Sequence, residues 1–229
     1  MITHLACIMD GNRRWACQRG LPSMMGHREG VKAVERVIKY CLERGVKYLS
    51  LYTFSLENFK RSVEEKNFLF DLIAEQAQAQ IPKALKNGVR LKFIGDRSLF
   101  PDHVKKVCEV LEEQTKDQLK VTVNILFCYG GRQEIVAACK ETCDDIAAGL
   151  IKKEDVSPEY FQGKLWTSDC PSPDLIVRTG GVKRLSNFLL FQAAYSELFF
   201  TDTFWPALSD SELEEIWKNY HHIKRNFGV

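Results

Sequence analysis

The stretch "IMDGNRRWA" (residues 8–16) decides how this chain is read. An apolar run from Leu5 to Met9 stops at the carboxylate of Asp10, and Gly11, Asn12, Arg13 and Arg14 follow at once. The apolar run reads as a strand. Similar runs recur at LACIM (5–9), YLSLYTF (48–54), VRLKFIG (89–95), VTVNILF (121–127) and DLIVR (174–178), with helical patterns filling the gaps. That alternation predicts an α/β fold in which a parallel sheet is covered by helices on both faces. In such a sheet, ligands bind beyond the carboxyl ends of the strands, which is where the charged part of the quoted stretch falls.

The helices carry their own punctuation. Val31, Val34, Val37, Ile38, Cys41 and Leu42 recur at helical spacing, and Gly45 stands where a left-handed cap belongs. SVEE (62–65) reads as a capping box opening a helix to about Lys86, which Pro82 should kink or shorten. SDSE (209–212) opens a last helix carrying LEEIWKNYHHIKRNFG, and TSDCPSPD (167–174) is a loop. No linker or repeat divides the chain, so residues 1–229 are expected to form one domain.

Composition narrows the function. The 32 basic and 30 acidic residues give a net charge of +2, so no overall field attracts nucleic acid and anion binding must be local. Eight cysteines form no CxxC, several occupy apolar positions, and Cys139 with Cys143 lacks the further ligands of a zinc site. With no signal-peptide pattern and no bilayer-length apolar run, the expectation is a cytoplasmic protein, at most peripheral to a membrane.

The polar motifs gather at the strand ends. DGNRRW follows the first strand, SLENFKRS the second, YGGR the fourth and RTGGVKRLSN the last. Arg13, Arg14, Arg61, Arg132, Arg178 and Arg184 thus converge with glycines that let the backbone approach an anion, which predicts one or more phosphate sites. Asp10 among these arginines would repel a diphosphate unless a divalent cation bridged them, so it reads as a magnesium ligand, with Glu197 in AYSELFF as the second oxygen donor.

HLACIMDGNRRWA, GHREGVKAV, SLYTFSLENFKRS, CYGGRQEI and RTGGVKRLSNFLLFQAAYSELFFTDTFWP, in this order from His4 to Phe227, resemble the signature blocks of cis-prenyltransferases. The resemblance implies a homodimer with a modified Rossmann-like fold, whose parallel sheet and flanking helices wall a hydrophobic tunnel. It also implies Mg²⁺-dependent condensation of isopentenyl diphosphate onto an allylic diphosphate such as farnesyl diphosphate, each new double bond being cis, to a long product such as undecaprenyl diphosphate, a lipid carrier precursor for cell-wall glycan. Peripheral membrane contact would serve product release. Asp10 is then the essential carboxylate, Gly11, Asn12, Arg13 and Arg14 the phosphate loop, His27 a further phosphate contact and Trp15 its packing neighbour. Asn58 belongs to proton removal, Ser55, Leu56, Glu57 and Phe59 line the site, and Arg61, Arg178, Arg184, Leu185 and Ser186 hold the isopentenyl diphosphate. Thr53, Val121 and the apolar face of the helix after Ser62 are expected along the tunnel. Burying each added five-carbon unit would gain about 4 kcal/mol until the tunnel is full, so tunnel depth sets product length.

Several positions depart from the bacterial pattern. Ser23 replaces an arginine, Val182 a glutamate, Lys183 a histidine and Phe59 a tryptophan, while Arg13 stands at a usual glycine. Three other readings compete: a non-catalytic partner subunit, a short-chain cis-prenyl diphosphate synthase, and a nucleotide-binding module. The first would look degenerate at the loops that survive here, and the last lacks GxGxxG or GxxxxGK[ST]. Phe188, Phe191, Phe199, Phe200 and Phe204 are expected at a dimer contact.

Overall fold

The computed structural model describes residues 1–223. Lys224 to Val229, which include Phe227 and the tail of the expected last helix, lie outside the described residues. Six strands, β1 (His4–Ile8), β2 (Tyr48–Ser55), β3 (Val89–Ile94), β4 (Val121–Tyr129), β5 (Leu175–Arg178) and β6 (Glu197–Phe200), form one sheet in the order β3-β4-β2-β1-β5-β6. All neighbours are parallel. The helices are α1 (Asn12–Cys17), α2 (Ser23–Arg44), α3 (Val63–Asn87), α4 (Asp102–Thr115), α5 (Gly131–Ala147), α6 (Pro158–Gln162) and α7 (Asp210–His222).

Strand alternation divides the core. Leu5 and Cys7 of β1 and Leu175 and Val177 of β5 join the larger cluster with α2, α3, α4 and α7. Ala6, Ile8 and Ile176 point to the other face, where Phe188, Leu189 and Trp166 close over them. This is the two-residue side-chain period of strands in a doubly covered sheet.

The five expected strands are present, and β6 is an addition. Its four residues at the sheet edge are too short to show a period, and Glu197, expected as a magnesium ligand beside Asp10, opens this strand. Gly45 caps α2 at φ 71°, in the left-handed region where glycine carries no Cβ penalty. Pro82 does not end α3, which runs to Asn87. The carbonyl that Pro82 deprives of a donor belongs to Gln78, which is exposed, so water can satisfy it. The box at Ser62 is only half made: Ser62 Oγ accepts from the Glu65 amide at 3.3 Å, while the Glu65 carboxylate turns to Arg61. No helix among the described residues is long and apolar enough to cross a membrane.

Of the five phenylalanines expected at a dimer contact, Phe188 is wholly buried against Tyr52 at 4.7 Å, and Phe199 packs on the larger core. Phe204 lies under Gly11 and the Arg14 guanidinium. Phe191 and Phe200 remain half-buried.

Candidate active site at the carboxyl edge of the sheet

Asp10 leaves β1 directly into α1, its Oδ1 accepting from the Gly11 amide at 2.7 Å. Residue 11 must be glycine on two counts: its φ is 102°, and a Cβ there would strike Phe204. Arg14 Nη2 donates to Asp10 Oδ1 at 3.0 Å and Arg178 Nη2 to Asp10 Oδ2 at 3.0 Å, so one carboxylate stands between two guanidiniums. Trp205 closes this edge from behind, donating its amide to Asp10 O at 3.0 Å and its indole N–H to Gly30 O at 2.9 Å. Helix α2 approaches α1 so closely that a Cβ on Gly26 would sit 1.9 Å from Asn12 O.

Arg178 is buried at the end of β5. Its Nη1 donates to Ser186 Oγ at 2.7 Å and to Arg184 O, and Arg184 Nε donates to the same Ser186 Oγ at 3.2 Å. Ser186, Asn187 and Leu189 hold positive φ of 50°, 66° and 43°, a strained run of non-glycine residues at the point where the arginines meet. Asn187 ties three strand ends together: its Nδ2 donates to Glu57 Oε1 at 2.8 Å and to Gln133 Oε1 at 3.1 Å, and its Oδ1 accepts from the Arg132 amide at 2.8 Å.

The glycines do less anion binding than the sequence suggested. Gly180 and Gly181 spend their amides on Thr203 O and Thr201 O, both at 2.8 Å, and the Gly131 amide goes to Asn187 O at 2.7 Å. A Cβ on Gly180 would meet Arg14 Nη2 at 2.7 Å, and Arg14 Nη1 donates to Gly180 O at 2.7 Å. RTGG is therefore a brace that positions Arg14 and Asp10, with Thr179 Oγ1 adding a 2.7 Å bond to Asp10 O.

Across the cavity, Glu65 accepts from Arg61 Nη1 at 2.9 Å and lies 3.5 Å from Arg13 and 4.0 Å from His27. Burial, then the nearby Arg61 charge, push His27 down to about 4, so its imidazole is neutral, and its Nε2 is buried with no hydrogen-bond partner among the described residues. Arg178 Nε is likewise unpartnered. Buried polar atoms normally find a partner, so two without one in a cavity wall mark a place where a water or a ligand would be bound. Asn58 Oδ1 accepts from the Ser55 amide at 3.0 Å, which fixes the turn after β2.

One cavity of about 1760 Å³ joins these groups. Asp10, Gly11, Asn12, Arg13, Arg14, Ser23, His27, Ser55, Glu57, Asn58, Arg61, Arg178, Arg184 and Ser186 line its mouth. Its depth runs between α2 and α3 and over the sheet, along Val34, Ile38, Leu72, Ala77, Leu91 and Ile125. Thr53 lines it, whereas Val121, expected there, is buried in the core and is absent from the lining. Four other expected site residues lie off the wall. Phe59 and Leu56 pack on the core behind it, Phe59 edge-on to Phe54 at 5.3 Å, Leu185 joins the smaller core, and Trp15 stacks under Arg19 at 4.3 Å. Conversely, Asn187 and Glu65 were missed as site residues. Glu65 was read as a cap, and Asn187 follows the last arginine motif without a recognisable pattern.

Residues 8–228 match the prenyltransferase family described as undecaprenyl diphosphate synthase. The chain belongs to this family. It is 45% identical to the isoprenyl transferase of Clostridium perfringens, covering 100% of this chain and 90% of that protein. It is 39% identical to the farnesyl-diphosphate-specific ditrans,polycis-undecaprenyl-diphosphate synthase of Xanthomonas axonopodis pv. citri, over 99% of this chain and 88% of that protein. Among solved structures it resembles lavandulyl diphosphate synthase from Lavandula x intermedia, in complex with dimethylallyl diphosphate (TM-score 0.96, 29% identity, 100% and 98% of the two chains). It also resembles a probable undecaprenyl diphosphate synthase from Campylobacter jejuni (TM-score 0.83, 34% identity, 100% and 99%). The family inferred from the sequence blocks is borne out, and the chain is a prenyl-group transferase.

Family membership raises the question of magnesium. Among the described residues no group of three or more His, Cys, Asp or Glu side chains could hold a metal ion. Asp10 alone still suits magnesium, which is commonly bound through one carboxylate and the substrate's own phosphates. Glu197 does not share that site within the chain. It pairs with Leu175 at the start of β5, while Phe200 pairs with Arg178, so Glu197 lies three residues, about 10 Å, below the edge that carries Asp10. Its neighbours within the chain are those of a sheet edge.

Proposed function

We propose that the chain condenses isopentenyl diphosphate repeatedly onto an allylic diphosphate, farnesyl diphosphate in the first instance, giving a long cis-polyprenyl diphosphate of the undecaprenyl type. The cavity carries this reading: it is larger than the ~300–1000 Å³ of an ordinary ligand pocket, charged at one end and apolar along the rest. The allylic diphosphate sits between Arg13, Arg14 and His27, with its tail between α2 and α3. The isopentenyl diphosphate is held by Arg61, Arg178, Arg184 and Ser186. When the allylic carbon–oxygen bond breaks, charge collects on the departing diphosphate, and arginines already fixed by Asp10, Ser186 and Glu65 meet it without rearranging. The isopentenyl double bond then attacks the allylic carbon, and loss of a proton beside Asn58 restores a neutral chain five carbons longer. Magnesium on Asp10 would neutralise diphosphate charge.

The likeness to lavandulyl diphosphate synthase favours a second reading, a short-chain synthase. Chromatography of labelled product from farnesyl and isopentenyl diphosphates separates them. A ladder ending at a long polyprenyl is expected, a product of one or two additions would establish the short-chain reading, and no incorporation would overturn both.

A further inference from the structure

Helices α2 and α3 wall the cavity; nearer its mouth they touch, with Arg28 Nη2 3.8 Å from Glu75 Oε2 and its guanidinium over the Phe68 ring, and further down they stand apart across it. Val31, Val34 and Ile38 face Leu72, Ile73 and Ala77 across it. A slot between two such apolar stripes would let a hydrocarbon tail leave sideways. What spans it at the level of Glu35 is polar. Gln80 Nε2 and Lys83 Nζ, one turn apart on α3, both donate to Glu35 Oε1 on α2, at 2.6 and 2.7 Å. All three residues belong to the cavity wall, yet Glu35 and Lys83 also reach solvent, with side chains 41% and 62% exposed. They therefore sit at the outer lip of the slot. Glu35 is eight residues beyond His27, about 12 Å down α2 from the diphosphate end. Pro82 lies between the two donors.

We propose that Glu35, Gln80 and Lys83 form a clasp that closes the side of the cavity and thereby sets the upper length of the hydrocarbon it holds. This rests on the prenyl-transfer reading above. A tail pressing outward at this level would have to break two hydrogen bonds to a carboxylate and leave that charge against hydrocarbon, which is costlier than continuing along the apolar wall toward Leu91 and Leu111. The Lys83 hydrogen bond holds the Glu35 carboxyl below its ordinary range, so the clasp is charged at neutral pH. Once the deeper space is full, growth stops because no side exit exists.

The test uses the full chain with farnesyl diphosphate, labelled isopentenyl diphosphate and Mg²⁺ in detergent, and reads the product ladder. Glu35→Lys and Lys83→Glu each set like charges against one another and should each extend the ladder by at least one five-carbon unit beyond the wild-type limit. The double exchange, Glu35→Lys with Lys83→Glu, rebuilds the pair with opposite polarity, and the Gln80 amide can accept as well as donate, so the wild-type limit should return. A ladder in either folded single variant that keeps the wild-type limit, or merely becomes shorter, overturns the clasp, as does a double exchange that stays as long as the singles. If the wild type forms no product, prenyl transfer fails instead, and the clasp is read from binding of saturated alkyl phosphates. Wild-type affinity should then stop rising at a chain length beyond which Glu35→Lys continues to gain. Coincident plateaus would overturn it.

Discussion

The mouth and the depth of the cavity are built on opposite plans. At the mouth, side chains from four strand ends meet as ion pairs and charge-assisted bonds: Asp10 between Arg14 and Arg178, Glu65 facing Arg61, Arg13 and His27, Asn187 joining Glu57 to Arg132. The depth is two helical stripes and a sheet face, held mainly by apolar packing. The difference teaches where each property resides. Bond breaking depends on a few groups whose positions are mutually fixed, so single changes there should be severe. Product size depends on space, so changes there should be graded.

The sharpest way to break that contrast is Asp10→Ala. It should lower kcat by at least about 100-fold while the far-ultraviolet circular dichroism stays native, because the carboxylate holds two arginines at the edge and supports no core. Near-normal turnover in a folded variant would remove the mouth from the chemistry.

Next in size is a pH effect that belongs to neither region. His4 is buried between Ser50 and Pro171, and burial lowers it from 6.5 to about 4, against a smaller upward pull from Pro171 and Asp174. The folded chain therefore binds fewer protons than the unfolded one. The stability from neutral His4 is complete above pH 6.5 and is lost as pH falls toward 4, about 3 kcal/mol in all. Urea melts at pH 7 and 4.5 should show most of that loss, and His4→Gln should flatten this part of the profile.

Glu65→Gln probes how far the mouth depends on mutual positioning. It should reduce kcat about tenfold without raising KM for the allylic diphosphate, because Arg61 loses its anchor but no positive charge is lost. A raised KM with normal kcat would mean that Glu65 contributes to binding instead. In the depth, Ala77→Phe should shorten the longest product by one or more five-carbon units, read by the same chromatography; an unchanged ladder would show that Ala77 borders no part of the chain's path.

The smallest expected effect concerns Arg13 and Ser23, both on the cavity wall. If Arg13 compensates for the arginine missing at Ser23, Arg13→Gly should raise KM for the allylic diphosphate a few-fold. Ser23→Arg should change it little, and the pair should show a coupling of about 1 kcal/mol. Additive effects on kcat/KM would make the two departures independent.

Much of this was legible in the sequence. Strand runs and glycine caps have fixed periods, so β1 to β5, α2 and the start of α3 follow from local spacing, and the blocks around Asp10, Arg61 and Arg178 lie at strand ends in any parallel sheet. Glu197 shows the limit of that reasoning, since a motif places a residue in a neighbourhood but not at an end of a strand. The parallel register of β6 on β5 puts it at the start of the strand, away from its own chain's Asp10. Phe59, Leu56 and Leu185 belong to the site motifs yet turn inward, because a short turn sends neighbouring side chains to opposite sides of the wall. The glycines of RTGG and YGGR looked like anion loops until tertiary contacts claimed their amides for Thr201, Thr203 and Asn187. The sequence alone determined which elements form and which charges gather, because periodicity and strand-end placement are local properties. Which oxygens and nitrogens meet, and how long a cavity remains between α2 and α3, depended on the packing of segments from 45 residues apart, as for Glu35 and Gln80, to 168 apart, as for Asp10 and Arg178, distances at which spacing along the chain carries no information.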